Sequence, residues 1–397
     1  MRSIECDIVV VGAGPAGNLA ARVAAENGAS TILLEEHQRV GHPIYCAEGL
    51  SLGGLKDAGI EPKPPVVCQE ITRAKVFAPN RNYLELTTKN WKGYTLNREV
   101  FDSLLAEIAV DAGVDLFTST KATDLIQKDG ITVGVKAVSK EEEFEISAKV
   151  VIGADGHASM VRRKAGLGEW FPDVVTCAQY KLGGLKLEDP GVNEFYLGRE
   201  ISPGGYAWVF PKSAEVANVG LGVRKIHTES PIKYLKRFVA NDPRFKDAEI
   251  QLVNGGICPV SGALERAVSD GLMLTGDSAG QLIPTTGAGI HSGLESGKMA
   301  GEVAAKAVKE GNVSAERLSE YENQFNSYWG ERIRDSRKVV EMLDKFSDEN
   351  LNTLANVITN EDVLNLANGI SVVRTLTKVI ARSPRAIIGL MSAYLAQ

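Results

Sequence analysis

The sequence is short of several things, and each shortage closes a class of function. Among 397 residues there are five cysteines and five histidines. Cys6, Cys46, Cys68, Cys177 and Cys258 are odd in number, widely spaced and never arranged as C-x-x-C, so neither a disulfide framework nor a zinc site is expected. A reducing cytoplasm suits that usage. There is no H-E-x-x-H and no His/Cys cluster, so no protein-bound metal is expected. No apolar run approaches the 18 or so residues of a membrane-spanning helix. Basic residues do not outnumber acidic ones: the formal charge is −6, the reverse of a nucleic-acid binder. Aromatics are only 6% of the chain. Glycine, by contrast, is in surplus at 40 residues, about 10% against a usual ~7%. Such a surplus places backbone where something must approach it closely.

The length predicts two or three domains. The first apolar segment, MRSIECDIVVVGAGPAG, runs straight into a glycine motif with no cleavage-type ending, so it reads as a buried strand and not as a signal peptide. Asp7 to Val11 is β-branched; Gly12-Ala13-Gly14-Pro15-Ala16-Gly17 follows, then a helical pattern to Asn27 and a second strand from Ser30 to Leu34. This is G-x-G-x-x-G between strand and helix, with Glu35 18 residues beyond the last glycine. Gly12 permits the turn, Gly14 lets amides reach a pyrophosphate, Gly17 lets helix pack on sheet, and Glu35 accepts ribose hydroxyls. Glu36 is the competing acid, expected to point away.

That motif does not separate NAD from FAD. Further along, Asn97-Arg98-Glu99 opens a helix over 100–112, followed by a strand near 114–117. Val150 to Gly156 (VVIGADG) precedes Ser159 and Arg162-Arg163. Leu272 to Gly280 (LMLTGDSAG) leads to Pro284-Thr285-Thr286-Gly287-Ala288-Gly289-Ile290 at the start of another helix. With these segments in this order the chain resembles the FAD-dependent aromatic hydroxylase superfamily. The resemblance implies an α/β fold: a Rossmann-type FAD-binding domain, an inserted antiparallel-sheet substrate domain and a C-terminal helical segment. It implies FAD as cofactor, with Gly12, Gly14, Pro15, Ala16, Gly17, Glu35, Cys46, Ala47, Gly49, Arg98, Ala122, Asp277, Gly287, Gly289 and Ile290 around it. Asp277 would bond the ribityl chain, and Arg98 would sit near ribityl or pyrophosphate. The amides of Gly289 and Ile290 would face the flavin pyrimidine, where a helix N-terminus favours negative charge. A plain N-cap is the alternative for Asp277, and a surface ion pair for Arg98. Asp155 reads as a structural bridge.

Residues 176–259 carry short β-rich runs between Gly and Pro turns (177–187, 193–197, 206–210, 216–223 and 249–257), the pattern of an antiparallel sheet. A strand at 74–78 joins it and a helix over 232–240 covers its outer face. Expected domains are 1–73, 95–175 and 260–312 for FAD; 74–94 and 176–259 for substrate; and 313–397 for the helical tail. Alternation puts Tyr206, Trp208 and Phe210 on one strand face, as core packing or as a substrate wall. Tyr206-x-Trp208-x-Phe210-Pro211 with Gly220 and Gly222, together with Pro43-Ile44-Tyr45-Cys46-Ala47-Glu48-Gly49, resembles the geranylgeranyl reductase family. Within it the compact chain looks most like the digeranylgeranylglycerophospholipid reductases. Flavin-dependent halogenases are similar across the first half but carry W-x-W-x-I-P, from which Tyr206 and Phe210 depart.

The resemblance implies an enzyme that saturates C=C bonds of geranylgeranyl chains on archaeal-type ether glycerophospholipids. A flavin monooxygenase or halogenase, and a geranylgeranyl diphosphate reductase, are the alternatives. Tyr206, Trp208 and Cys46 are the catalytic candidates; Tyr206, Trp208, Phe210 and His291 are the substrate contacts. Cys46 also reads as a small buried hydrophobe, and His291 as a packing residue. No second G-x-G-x-x-G occurs, so the electron donor (reduced nicotinamide, a deazaflavin or a ferredoxin) visits transiently.

From Ser314 the chain turns helical, with Leu318, Tyr321, Phe325, Tyr328 and Trp329 at helical spacing and further helices near 332–346, 348–357, 360–366, 372–381 and 384–395. From Ile370 onward the only charges are Arg374, Lys378, Arg382 and Arg385, and Ile387, Leu390, Met391, Tyr394 and Leu395 form an apolar stripe. That is the form of a helix drawn to an anionic membrane surface, and equally of one docked on its own domain. A cytoplasmic protein, peripheral on the inner face of the membrane, is the expectation.

Overall fold

The computed structural model describes residues 2–87, 92–224 and 229–382. In chain order the first elements are β1 (Arg2–Val11), α1 (Pro15–Glu26), β2 (Thr31–Leu34), β3 (Gly49–Ser51), α2 (Leu52–Ala58), β4 (Val67–Ile71), β5 (Arg73–Phe77), β6 (Tyr83–Thr87) and β7 (Gly93–Leu96). There follow α3 (Arg98–Asp111), β8 (Asp115–Phe117), β9 (Thr120–Lys128), β10 (Ile131–Ser139), β11 (Glu142–Gly153) and α4 (Met160–Lys164). Next come β12 (Val174–Gly183), β13 (Val192–Tyr196), β14 (Ala207–Pro211), β15 (Ala217–Arg224), α5 (Pro231–Ala240), β16 (Glu249–Asn254), β17 (Ile257–Pro259), β18 (Val268–Ser269) and β19 (Leu272–Leu274). The tail holds α6 (Ile290–Glu310), α7 (Ala315–Leu318), α8 (Glu320–Phe325), α9 (Glu331–Leu343), α10 (Asp348–Ala355), α11 (Asn360–Ala367) and α12 (Val372–Arg382).

Ile8, Val9 and Val10 are fully buried because β1 lies inside a sheet ordered β18-β19-β11-β1-β2-β8, covered on both faces as a parallel run requires. The β1–β11, β1–β2, β2–β8 and β11–β19 pairs are parallel. An antiparallel β9–β10–β11 extension completes this sheet. From the sequence none of these three strands is assigned; only the end of β11 stands out, as part of the VVIGADG motif. Helix α6 lies along α1, with Gly297 and Gly301 against the backbone of Ala16 and Ala20.

The second sheet runs β16-β12-β15-β14-β13-β5-β6, with β17 also paired to β12. Its pairs are antiparallel except β13–β5. The run expected over 249–257 divides at Gly255-Gly256 into β16 and β17. Alternation separates two faces: Tyr180, Leu182, Val209, Val219 and Leu221 share a core with Leu235 and Phe238 of α5, so Gln179, Trp208, Phe210, Asn218 and Gly220 face the other way.

Leu318, Tyr321, Phe325 and Trp329 are buried in the core of the first sheet. The expected stripe breaks at Tyr328, which is 48% exposed: the backbone winds in a π turn over Asn326–Gly330, which rotates that side chain outward. A buried charge network ties the tail to the sheets. Arg224 holds Asp173 through two bonds (3.0 and 2.7 Å) and Asp344 at 2.8 Å, while Arg337 reaches Asp173 at 2.5 Å and Val260 O at 3.0 Å. In α12, Val372 and Val379 are buried against the tail; Lys378 lies 3.7 Å from Glu361, and Arg382 bonds Asp362. Two cations of the basic tail are therefore matched by acids of α11. The stretch 384–395 lies outside the described residues. No helix among the described residues is long and apolar enough to cross a membrane.

Candidate active site

The glycine loop closes on its own backbone. A carbon added at Gly17 would lie 1.8 Å from Gly12 O, so α1 can start this close to the turn only on glycine. Pro15 occupies the first turn of α1, and Gly14 caps it with no side-chain acceptor, leaving the first amides of the helix without side-chain partners. Glu35 accepts from Ala13 N at 3.1 Å and His37 N at 2.9 Å. Glu36 points outward to Lys121 at 2.8 Å. Thr120 N donates to Glu35 O at 2.8 Å, and Ala122 is buried two residues farther along β9.

Three distant segments meet at Ala16. Its methyl group is 2.9 Å from a carbon placed on Gly276 and 3.7 Å from one placed on Gly293. Thr275 and Ser278 cap the turn over Gly276–Ala279, so Asp277 is not spent as a cap. Its carboxylate lies 3.1 Å from a carbon placed on Gly289, at the N-terminus of α6, where Gly289 again supplies no side-chain cap. Gly287 turns the preceding loop at φ +65°, and Ile290 is the first helical residue. Burial pushes Asp277 up to about 6, and Arg98 opposes this. Arg98 forms a two-pronged pair with Asp102 (both 2.7 Å), 11% and 4% exposed; it is a buried pair and not a surface one. Asp155 caps α4 through Ser159 Oγ at 2.5 Å and Val161 N at 3.0 Å. Two uncapped helix starts, an acid at each end and a narrow glycine approach fit a dinucleotide cofactor.

The wall has four rings. Tyr206 precedes β14, and Tyr206–Trp208 and Trp208–Phe210 centroids are 5.9 and 6.5 Å apart. Phe195 of β13 meets Tyr206 and Phe210 edge-on at 5.6 and 5.3 Å. The motif's glycines have a physical reason: a carbon on Gly220 would lie 2.4 Å from Trp208 Cζ2, so the indole rests on bare backbone. Tyr206 Oη donates to Thr286 O in the loop before α6. Burial pushes the Tyr206 hydroxyl far above its usual range, so it stays protonated.

The wall grips the segment 43–49. Gln179 Oε1 accepts from Trp208 Nε1 at 2.8 Å, and its Nε2 donates to Cys46 O at 2.9 Å. Asn254 Nδ2 donates to Ile44 O at 2.9 Å and Asn218 Nδ2 to Ala47 O at 3.2 Å. Glu48, at φ +72° and 7% exposed, accepts from Lys212 Nζ at 2.5 Å, Asn218 Nδ2 at 2.6 Å and Arg98 N at 2.9 Å. Lys212 also donates to Leu96 O at 2.8 Å. Gly49 packs on Phe210. The Cys46 sulfur receives Glu48 N at 3.2 Å, and burial pushes its thiol up against the smaller influence of Arg98. His291 contacts Asp57 Oδ2 at 2.6 Å, Ser51 Oγ at 3.5 Å and the Trp329 ring at 5.5 Å; none of these belongs to the wall. Sequence reading missed Gln179, Glu48, Lys212, Asn218, Asn254 and Phe195. Of these only Phe195 carried a signal, its place within the expected 193–197 strand; its pairing with Trp208 is set by sheet register.

Residues 173–257 match the geranylgeranyl reductase catalytic domain, and residues 7–168 match the FAD dependent oxidoreductase family. A digeranylgeranylglycerophospholipid reductase of Methanopyrus kandleri is 40% identical over 389 residues, covering 96% of this chain and 97% of its own. One of Methanothrix thermoacetophila is 41% identical, covering 91% and 93%. The crystal structure of a geranylgeranyl bacteriochlorophyll reductase-like protein from Thermoplasma acidophilum superposes with a TM-score of 0.89 at 32% identity, over 99% of this chain and 100% of that one. A flavin-dependent brominase, at 18% identity and a TM-score of 0.73 over 92% and 94%, shares the fold alone. With both halves of the site matched and the full length covered, the chain belongs to the FAD-dependent geranylgeranyl reductase family.

Proposed function

We propose that this protein saturates C=C bonds in the geranylgeranyl chains of an ether glycerophospholipid. The observation that carries the reading is the four-ring wall bonded through Gln179 to the Cys46 segment, beside the Asp277–Gly289 corner. FAD, when bound, supplies hydride to an alkene carbon. The amides after Gly14, Pro15, Ala16 and Gly17 hold its pyrophosphate, Glu35 its ribose and Ala122 its adenosine end. Asp277 would hold the ribityl chain, Arg98 would lie near ribityl or pyrophosphate, and Gly287, Gly289 and Ile290 would face the pyrimidine. Cys46, Ala47 and Gly49 would border the flavin.

Tyr206, Trp208, Phe210 and Phe195 exclude water and seat the apolar chain. An isolated alkene accepts hydride poorly, so a proton must arrive with it, and ring faces favour the developing positive charge by about 1–2 kcal/mol. Tyr206 Oη and Cys46 Sγ both keep their protons through neutral pH, and with an ordered water they are the candidates to hold that proton. Electrons come from a reduced nicotinamide, deazaflavin or ferredoxin that docks transiently. The lipid's chains come from a bilayer, and we assign that contact to the outer face of α12, where Val373 is 70% and Ile380 42% exposed.

The test is mass spectrometry of a geranylgeranyl glycerophospholipid incubated with purified protein and chemically reduced FAD. The expected product gains two hydrogens per saturated bond. An unchanged lipid overturns the reading, and a gain of one oxygen with oxygen consumption would favour a monooxygenase.

A further inference from the structure

Three of the five cysteines, from separate segments, gather around one hydroxyl. Cys46, Cys177 and Cys258 all bear electrostatically on Tyr206. In the antiparallel β12–β17 pair Val175 stands opposite Cys258 and Thr176 opposite Ile257, and Cys177 N donates to Gly256 O at 2.8 Å. Cys177 and Cys258 are therefore diagonal neighbours on the same face of the pair, close enough for each thiol to bear electrostatically on the other. Both are half-buried and free, within reach of a small oxidant. The bend between β16 and β17 is wedged beside them: a carbon on Gly255 would lie 2.4 Å from Cys177 O, and one on Gly256 3.1 Å from Tyr45 O.

We propose that Cys177 and Cys258 are a reversible redox modification site, a dithiol that peroxide converts to a disulfide and that thereby shuts the wall to substrate. Bound FAD would supply hydrogen peroxide when its reduced form met dioxygen instead of an alkene, and Gly287, assigned above to the cofactor, lies against Cys258: a carbon placed on it would be 3.8 Å from the sulfur. One sulfur attacks peroxide, the O–O bond breaks, one water leaves and a sulfenic acid forms. The second thiol displaces the hydroxyl as a second water, and the S–S bond forms. Two S–H bonds are lost, the sulfurs give up two electrons and peroxide is reduced to two waters. The neighbouring Cys177 and burial push the Cys258 thiol well up. Drawing the two sulfurs together pulls the Gly255-Gly256 bend against Tyr45 and shifts the segment that carries Cys46.

The β12–β17 register sets the pair side by side; its effect on turnover rests on the reductase reading. The test treats FAD-loaded enzyme with hydrogen peroxide, alkylates it in denaturant without reductant and digests it. A Cys177–Cys258 linked peptide, two hydrogens lighter than the separate thiol peptides and released by dithiothreitol, is expected. Lipid reduction, scored against the same preparation before treatment, should fall at least tenfold as the link forms and return with dithiothreitol. Cys258→Ser should instead collect higher acids at Cys177 that dithiothreitol does not reverse. No link, a link through Cys46, or a full link with turnover unchanged overturns the proposal. A preparation inactive on lipid before treatment counts against the reductase reading, while its peptides still decide the pair.

Discussion

Trp208 and Cys46, 162 residues apart in sequence, are joined by the one amide of Gln179, which takes the indole N–H at 2.8 Å and returns its own to the Cys46 carbonyl at 2.9 Å. Replacing Gln179 with Leu leaves both groups buried without that partner, a loss of about 1–3 kcal/mol. The expected outcome is a lower unfolding midpoint and at least a tenfold fall in lipid turnover with flavin content retained. Thermal unfolding, flavin absorbance and product mass check it.

The Glu48–Lys212 pair gives a sharper contrast. Both side chains are about nine-tenths buried, so Lys212→Met strands a carboxylate and should cost about 3–5 kcal/mol. Adding Glu48→Gln to Lys212→Met should recover most of that loss. Denaturant unfolding of the two single variants and the double one reads the coupling directly.

Gly220→Ala puts a methyl group 2.4 Å from Trp208 Cζ2. The indole must lift, and turnover should fall more than tenfold. FAD affinity, proposed above to rest chiefly on the glycine loop after β1 and on Asp277, should change less than twofold by fluorescence titration.

Asp277 carries a pH signature. Its folded-state value is raised from 3.8 to about 6 by burial, so the folded state favours the protonated acid. That contribution is complete below about pH 4 and is lost as pH rises through about 6, to a limit of roughly 2–3 kcal/mol. Cofactor-free Asp277→Asn should therefore be the more stable protein above pH 6, with the gap closing toward pH 4. Melting curves of both proteins from pH 4.5 to 8 test the sign.

The outer face of α12 makes the last prediction. Val373→Asp with Ile380→Asp should reduce co-sedimentation with lipid vesicles severalfold while turnover of detergent-dispersed lipid stays within twofold. Because Lys378 and Arg382 already face acids, raising the salt should weaken vesicle binding less than these substitutions do.

Much of the architecture was legible because it is written locally. The β-branched run at Ile8 to Val11, the glycine turn after it and the β14 alternation are each set by neighbours within a few residues. What stayed hidden is nonlocal. Gln179, Asn218 and Asn254 are ordinary polar residues on strands and Lys212 directly follows one, and only the packing of the sheet shows that all four reach into the segment 43–49. Glu48 carries no sign in the sequence that it needs a left-handed backbone. The cysteines looked dispersed because their separations along the chain conceal the β12–β17 register and the return of Cys46 to the sheet. The π turn at Asn326–Gly330 changes the helical period, which no periodicity count assuming 3.6 residues per turn can follow.

The meeting at Ala16 also sets an order of events during synthesis. The loop that starts the dinucleotide fold emerges first, yet it is completed by Gly276, Gly293 and Gly297, more than 250 residues later. A ribosome must therefore release most of the chain before the cradle has its second wall, and contacts of such long range close slowly. Flavin uptake thus reports that the last third of the molecule has arrived, and chains that stop short of α6 leave the ribosome colourless.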